Sequence, residues 1–299
     1  MDIILQAIIY GLAQGAIYSL LALGYTTIYS TTRVVNFAQG EFLMVGALFT
    51  WLFYQRMNLP YIVAIVLVII VCAVIGFISE KLIMEPYKKS GAGFTWIITT
   101  MAVAIVYRNL FTIPFGSESF SVKPIINGRF SIGEASMSYQ QVFVVFAMLA
   151  ILAAFQAFQN RTFWGKAMRA AAFNTGVTSL MGIPVPRLIT LSFVVSSVVT
   201  GIAGALVAPL TFADANMGAA LGMKGFVCLV VGGLGSPIGA VLGGLLIGML
   251  ESLTRSLLPT TLANISIYVV LVAVLVVKPN GLFNLTGGFK KLAKKEGEK

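Results

Sequence analysis

Runs of about twenty mostly apolar residues recur along this chain with helix-type rather than alternating patterning, and they limit the possible folds more than any motif does. A bilayer core about 30 Å thick takes roughly 20 such residues per helical crossing. Stretches near 1–30, 59–84, 94–115, 139–159, 188–209 and 260–277 each come close to that length. With 58% hydrophobic residues, 10% charged residues and 30 glycines, the chain exceeds what a water-soluble core needs. The expected fold is all-α, a polytopic transmembrane helical bundle with about eight or nine membrane segments, and not a barrel. One integral-membrane unit is expected over 1–287, with a basic tail over 288–299.

The opening stretch lacks the basic n-region of a secretory signal and its apolar run continues too far, so it reads as the first membrane helix. Gly11, Gly15 and Ser19 recur every four residues. They are either a ridge that admits a close helix neighbour or ordinary membrane-helix small residues. Cys72 and Cys228 lie far apart inside apolar runs and read as small buried hydrophobes. Histidine is absent, which removes the commonest general base and metal ligand, and no metal site is expected. Gly165-Lys166 lacks the upstream glycine of a phosphate loop, and GGLGS completes no dinucleotide fingerprint. The chain is therefore not expected to be an enzyme. If transport is energised, nucleotide is hydrolysed on another subunit.

Polar residues inside a membrane protein point to function. Arg33, Asn36, Gln39 and Glu41 cluster just before an apolar run. Asn36 is expected to cap a helix beginning near Phe37, with Glu41 in its first turn, where a carboxylate favours the positive dipole end. The other reading is that Gly40 and Gly46 break or thin that helix, so that Asn36, Gln39 and Glu41 line a water-accessible path. A second interruption falls at Gly232 to Pro237 and includes Gly233 and Gly235, with Gly235, Gly239 and Gly243 read as a ridge. The piece before it, about Gly222 to Val231, is short for a span, so a broken pair or re-entrant hairpin is expected. Paired interruptions in opposite halves point to a translocation path, although no internal sequence repeat supports them. Glu41, Arg108 and Glu251 are the ionisable residues nearest the spans, all placed near helix ends, and Arg108 is expected to snorkel to the interface.

Charge bias orients the chain. Lys81, Lys88 and Lys89 mark one cytoplasmic end, and residues 116–138 fit an ordered external loop. The stretch from Thr162 to Arg187, with Arg161, Lys166 and Arg169, is again cytoplasmic, as is the lysine-rich tail. Much of the formal charge of +10 sits in that tail and reads as attraction to anionic membrane lipid rather than nucleic acid. Within Thr162–Arg187 an amphipathic helix is expected. Lys166, Arg169 and Phe173 share one face, Trp164, Met168 and Ala171 another, and Pro184 and Pro186 are expected to stop it. One side would pack on the bundle and the other would meet a partner.

GLAQGAIYSLLALGYTTIYSTTRVVNFAQGEFLMVGA, GKAMRAAAFNTGVTSLMGIPV and VVGGLGSPIGAVLGGLLIGMLESL, in this order, resemble the LivH-type permease subunit of bacterial branched-chain amino acid ABC importers. The resemblance covers nearly the whole chain. It implies a multi-pass plasma-membrane permease that pairs with a second, related permease. It also implies two ATPase subunits, which bind ATP and Mg, and an extracytoplasmic substrate-binding protein; no cofactor is implied for this chain. The family's ATPase-coupling region falls on Gly165 to Gly182, where Arg169, Asn174 and Gly182 match. Ala171, Ala172 and Gly176 fit the broader importer loop motif, but Ala170 stands where an acidic residue is usual. In the family's NFA-x-G-acidic element the chain reads Asn36, Phe37, Ala38, Gln39, Gly40, Glu41, with Gln39 in place of histidine, which excludes a protonation role there. The path residues implied or inferred are thus Asn36, Phe37, Gln39, Gly40, Glu41, Gly232, Gly233 and Gly235. The coupling residues are Gly165, Lys166, Arg169, Phe173, Asn174 and Gly182. Two alternatives remain open: a urea or short-amide ABC permease, and a self-sufficient channel or secondary transporter of small polar solutes.

Overall fold

A computed structural model describes residues 2–90, 93–132 and 135–283. The basic tail at 288–299 lies outside the described residues. The chain forms eleven α-helices and four short strands among the described residues. The helices begin with α1 (Asp2–Thr32), α2 (Gln39–Thr50), which continues as a π-helical segment over Trp51–Arg56, α3 (Tyr61–Ser90) and α4 (Gly93–Phe115). A strand-bearing segment follows, with β1 (Phe120–Ser121), β2 (Arg129–Ile132) and β3 (Ala135–Ser138), and then α5 (Tyr139–Arg161). Next come α6 (Phe163–Phe173), α7 (Thr175–Leu180), α8 (Val185–Val207), β4 (Phe212–Ala213), α9 (Met217–Gly232), α10 (Pro237–Leu257) and α11 (Thr260–Val277). Among the described residues six helices are long and apolar enough to cross a membrane, and Met217–Gly232 and Leu262–Val277 are shorter apolar helices.

The core is built around α1, which packs on α10, α8, α9 and α5, while α2 lies against α8 and α9 and α3 against α8 and α4. Small residues make this possible. A Cβ on Gly11 would come within 2.7 Å of Met249 Cα, and one on Gly15 within 2.8 Å of Leu245 Cα. From the other side Gly244 and Gly248 rest on the backbones of Ser19 and Gly15, and the Ser19 hydroxyl reaches Val241 O at 2.8 Å. The four-residue repeat is therefore a contact ridge, and it lets α1 and α10 meet backbone to backbone. On the outside, α3 presents Ile62, Val66, Ile70, Val74 and Phe77 to the surroundings, an apolar stripe at helical spacing.

Several local expectations need correction. α2 starts at Gln39, not near Phe37, with Ala38 at its N-cap and no side-chain cap. Asn36 Oδ1 instead accepts from Ala38 N at 3.1 Å, a turn contact. Gly40 and Gly46 do not break α2. A Cβ on Gly40 would strike Gly218, and one on Gly46 would strike Gly201, so both serve close crossing of intact helices. Pro184 and Pro186 open α8 rather than stopping α6, because the missing N–H costs nothing in a first turn. The α6 helix ends earlier, where Asn174 turns extended and caps α7. Trp164 lies outside the buried face of α6 that holds Gly165, Ala167, Met168 and Ala171.

The interruption at Gly232 to Pro237 is present. Ser236 caps α10 by accepting from Gly239 N at 3.1 Å, and Pro237 occupies its first turn. α9 has 16 residues, six more than the piece expected, and at 1.5 Å per residue is about 24 Å long. Gly239 and Gly243 pack back on Gly232, whereas Gly235 belongs to the turn and not to that ridge. Two antiparallel pairings order the segments outside the helices: β1 with β4, Phe120 opposite Ala213, and β2 with β3, Arg129 opposite Ser138.

Candidate functional site

Arg33 ends α1 by adopting a left-handed backbone, φ 61°, and the chain runs irregularly to Gln39. This interruption places polar side chains inside the bundle. Asn36, Gln39 and Glu41 are all buried. Gln39 Nε2 donates to Thr200 Oγ1 at 2.5 Å, and Gln39 Oε1 lies 3.0 Å from Ser196 Oγ, so the amide ties α2 to α8. A Cβ on Gly24 would strike that amide, so α1 closes the same junction. Phe37 packs on Phe226 with ring centroids 5.8 Å apart, and Trp96 Nε1 donates to Val35 O at 2.9 Å.

Arg108 does not snorkel. Its Nη2 donates to Glu41 Oε1 at 2.9 Å, because the long side chain on α4 reaches across to the first turn of α2. The residue read as an interface anchor is thus the counter-charge of the cluster. Glu41 Oε2 and Asn36 Nδ2 are buried without a hydrogen-bond partner. Two polar atoms with unmet capacity stand at the point where the helix order is interrupted.

The second interruption meets the first. Gly233 and Gly235 take φ of 110° and 83°, a conformation that favours glycine. A Cβ on Gly235 would be 3.7 Å from Tyr29 Cδ1 and 4.0 Å from Arg33 Nη1, so the turn after α9 rests on the end of α1. Gly281 packs on Gly233, and Leu282 N donates to Val231 O at 2.8 Å, so residues 281–282 close over the end of α9. The same Arg33 donates through Nη2 to Ala172 O in α6. One guanidinium therefore ties the end of α1 to α6 and lies near the Gly235 turn. The sequence places Arg33 in a polar cluster but gives no sign of this bridge, which needs contacts across more than a hundred residues of chain.

α6 is positioned by its N-cap: Thr162 Oγ1 accepts from Gly165 N at 3.0 Å, and Gly165 lies against the backbone of Phe158 and Gln159. Ala167, Met168 and Ala171 pack with Leu188, Phe158, Ile183 and Leu191. Lys166, Arg169 and Phe173 face outward together. Asn174 Oδ1 accepts from Val177 N at 3.1 Å, and Gly182 turns the chain at φ 77°. The result is a protruding surface on which Phe173, Leu180 and Met181 are 76%, 89% and 73% exposed. Exposed apolar side chains and cations are grouped on this surface.

A second ionic cluster was not expected from the sequence. Glu251 is buried rather than held at a helix end. Tyr18 donates to its Oε2 at 2.7 Å, and Lys224 and Arg255 reach Oε1 at 2.7 and 2.5 Å. Lys224 in GMKG was the available signal, a lysine inside an apolar run.

The family model described as "Branched-chain amino acid transport system / permease component" matches residues 7–275. The high-affinity branched-chain amino acid transport system permease protein LivH of Escherichia coli K12 is 28% identical over 292 residues, covering 93% of this chain and 94% of the relative. The corresponding protein BraD of Pseudomonas aeruginosa is 28% identical over 250 residues, 79% of this chain and 81% of the relative. A probable branched-chain amino acid transport permease protein LivH of Methanocaldococcus jannaschii is 26% identical over 223 residues, 72% and 70% of the two chains. No solved structure matches this chain. Six span-length apolar helices together with this match make the chain an integral, multi-pass membrane protein, and it belongs to the family of branched-chain amino acid transport system permease components.

Proposed function

We propose that this chain is the permease subunit of an ATP-driven importer of branched-chain or other hydrophobic amino acids in a bacterial inner membrane. It would pair with a second, related permease and sit on two ATPase subunits that bind ATP and Mg. An extracytoplasmic binding protein would deliver substrate. The observation that carries this reading is the outward surface of α6 and α7, which combines Lys166 and Arg169 with Phe173, Leu180 and Met181 while the opposite face is anchored in the bundle.

Movement of an ATPase against that surface would pull on Ala172 and, through Arg33, on the interruption after α1, beside which the Gly235 turn lies. Asn36, Phe37, Gln39, Gly40 and Glu41 on one side, and Gly232, Gly233 and Gly235 on the other, would then line or hinge the path. Glu41 Oε2 and Asn36 Nδ2 have hydrogen-bonding capacity to offer when that path opens. On the charge bias of the sequence, α6, α7 and the C-terminus would lie on the cytoplasmic side.

Arg169→Glu tests the docking assignment. The variant should insert and fold normally, lose copurifying ATPase subunits and lose ATP-driven uptake in proteoliposomes. Unchanged uptake would refute the assignment of α6, and robust gradient-driven uptake by the chain alone would refute the importer reading itself.

A further inference from the structure

We propose that the groove between α3, α6 and α8 holds an anionic phospholipid, with its headgroup between Lys81 and Arg187. A cavity of about 480 Å³ opens there, lined by Phe77, Lys81, Trp164, Arg187, Leu191 and Val194, with Thr190 at its wall. The lining contains two cations and no carboxylate. Lys81 Nζ stands 5.6 Å from the Phe77 ring centre and 3.5 Å from Glu80 on its own helix, while Arg187 makes no ion pair among the described residues. In the first turn of α8, Pro186 has no N–H and the N–H groups of Arg187 and Leu188 are bonded to Pro184 O, so the attraction for an anion comes from the Arg187 and Lys81 side chains.

The remainder of the groove is apolar. Phe77 ends the exposed α3 stripe of Val66, Ile70 and Val74, so a lipid chain lying on that stripe runs directly into the cavity. Val194 lies nine residues into α8, roughly 13 Å along its axis. An ATPase approaching from water would have to enter that far between membrane helices, whereas a lipid is already there. An amphiphile with a phosphate and an acyl chain matches the lining at both ends, as basic pockets between membrane helices do. Because Trp164 is part of α6, occupancy would brace the helix that carries Lys166 and Arg169, and lipid composition would set the stiffness of the coupling surface. The proposal rests on the bundle being embedded in a bilayer and not on the ATPase assignment.

Trp164 supplies the readout. The full-length chain is reconstituted in phosphatidylcholine vesicles containing a graded fraction of brominated phosphatidylglycerol or brominated phosphatidylcholine. Emission is compared with that of Trp164→Phe to isolate Trp164. Phosphatidylglycerol should reach half-maximal quenching at a mole fraction on the order of tenfold lower than phosphatidylcholine. Lys81→Gln with Arg187→Gln should abolish that preference, and Lys81→Arg with Arg187→Lys should keep it. Equal quenching by the two lipids in the wild-type chain overturns the proposal without reference to any variant. Relief of the quenching by millimolar inorganic phosphate would show a free-anion site instead and would also overturn it. So would a double Gln variant that keeps the lipid preference but loses copurifying ATPase subunits, since the groove would then be a protein dock.

Discussion

Removing the two members of the Glu41–Arg108 pair one at a time should have unequal effects, and the structure gives the direction. Nη2 and Oε1 are 2.9 Å apart, an attraction of about 6 kcal/mol at an effective dielectric near 20 before desolvation is counted. The Glu41 side chain is 2% exposed and that of Arg108 33%. After Glu41→Gln the guanidinium still reaches solvent, and the loss should be that of one charge-assisted hydrogen bond, about 1.5–3 kcal/mol. After Arg108→Gln the carboxylate stays buried with its second oxygen already unpartnered, so the loss should be about 3–5 kcal/mol. The double variant should be more stable than Arg108→Gln alone, giving a coupling of up to about 3 kcal/mol in the cycle. Equilibrium unfolding of the purified chain in mixed micelles titrated with dodecyl sulfate measures all four corners. If Arg108→Gln costs no more than Glu41→Gln, or if the two losses add, Glu41 is not held as a buried carboxylate by Arg108 and the electrostatic account of the site is wrong.

Gly248→Ala places a Cβ on the Gly15 backbone, which cannot rotate away, so separation of α1 from α10 should cost about 1–3 kcal/mol in the same titration. Gly182→Ala makes a useful contrast: φ is 77° but nothing lies within 4 Å of the new Cβ, so the cost should be limited to about 1–2 kcal/mol of local strain and should leave thermal melting of the membrane bundle unchanged. Tyr18→Phe removes the 2.7 Å bond to Glu251 Oε2 and should lower stability by about 1–3 kcal/mol, while Glu251→Gln should cost more because it also removes the pairs to Lys224 and Arg255; an equal loss would argue against that cluster. Cys72 and Cys228 are both buried, so a membrane-permeant maleimide should label neither until the bundle is unfolded; rapid labelling of the folded chain would contradict their packing.

The outward face of α6 was legible in the sequence because a helix at the bundle's edge exposes its periodicity directly: Lys166, Arg169 and Phe173 recur at helical spacing among small buried residues. Trp164 was misplaced on the same reasoning, since a large apolar residue has the same pattern whether it meets the bundle or lines a groove at its edge. Gly40 and Gly46 looked like helix breakers for a related reason. Glycine weakens a helix in isolation, but in a membrane bundle the backbone is held by its neighbours, and the missing side chain is used for approach. Arg108 illustrates the limit most clearly, because snorkelling and ion pairing use the same side chain and differ only in what α2 places within its reach.

From the sequence alone came the membrane-spanning helical class and the break at Gly232 to Pro237, fixed by hydropathy and backbone permissiveness along a short stretch. Only the tertiary structure decided that Gly11, Gly15 and Ser19 form a contact ridge, that Glu41 faces Arg108, that Glu251 gathers Tyr18, Lys224 and Arg255, and that Arg33 ties the end of α1 to α6. Each of those depends on two or more helices distant in sequence arriving at the same depth and rotation, and periodicity records which face of a helix is buried but not which neighbour buries it.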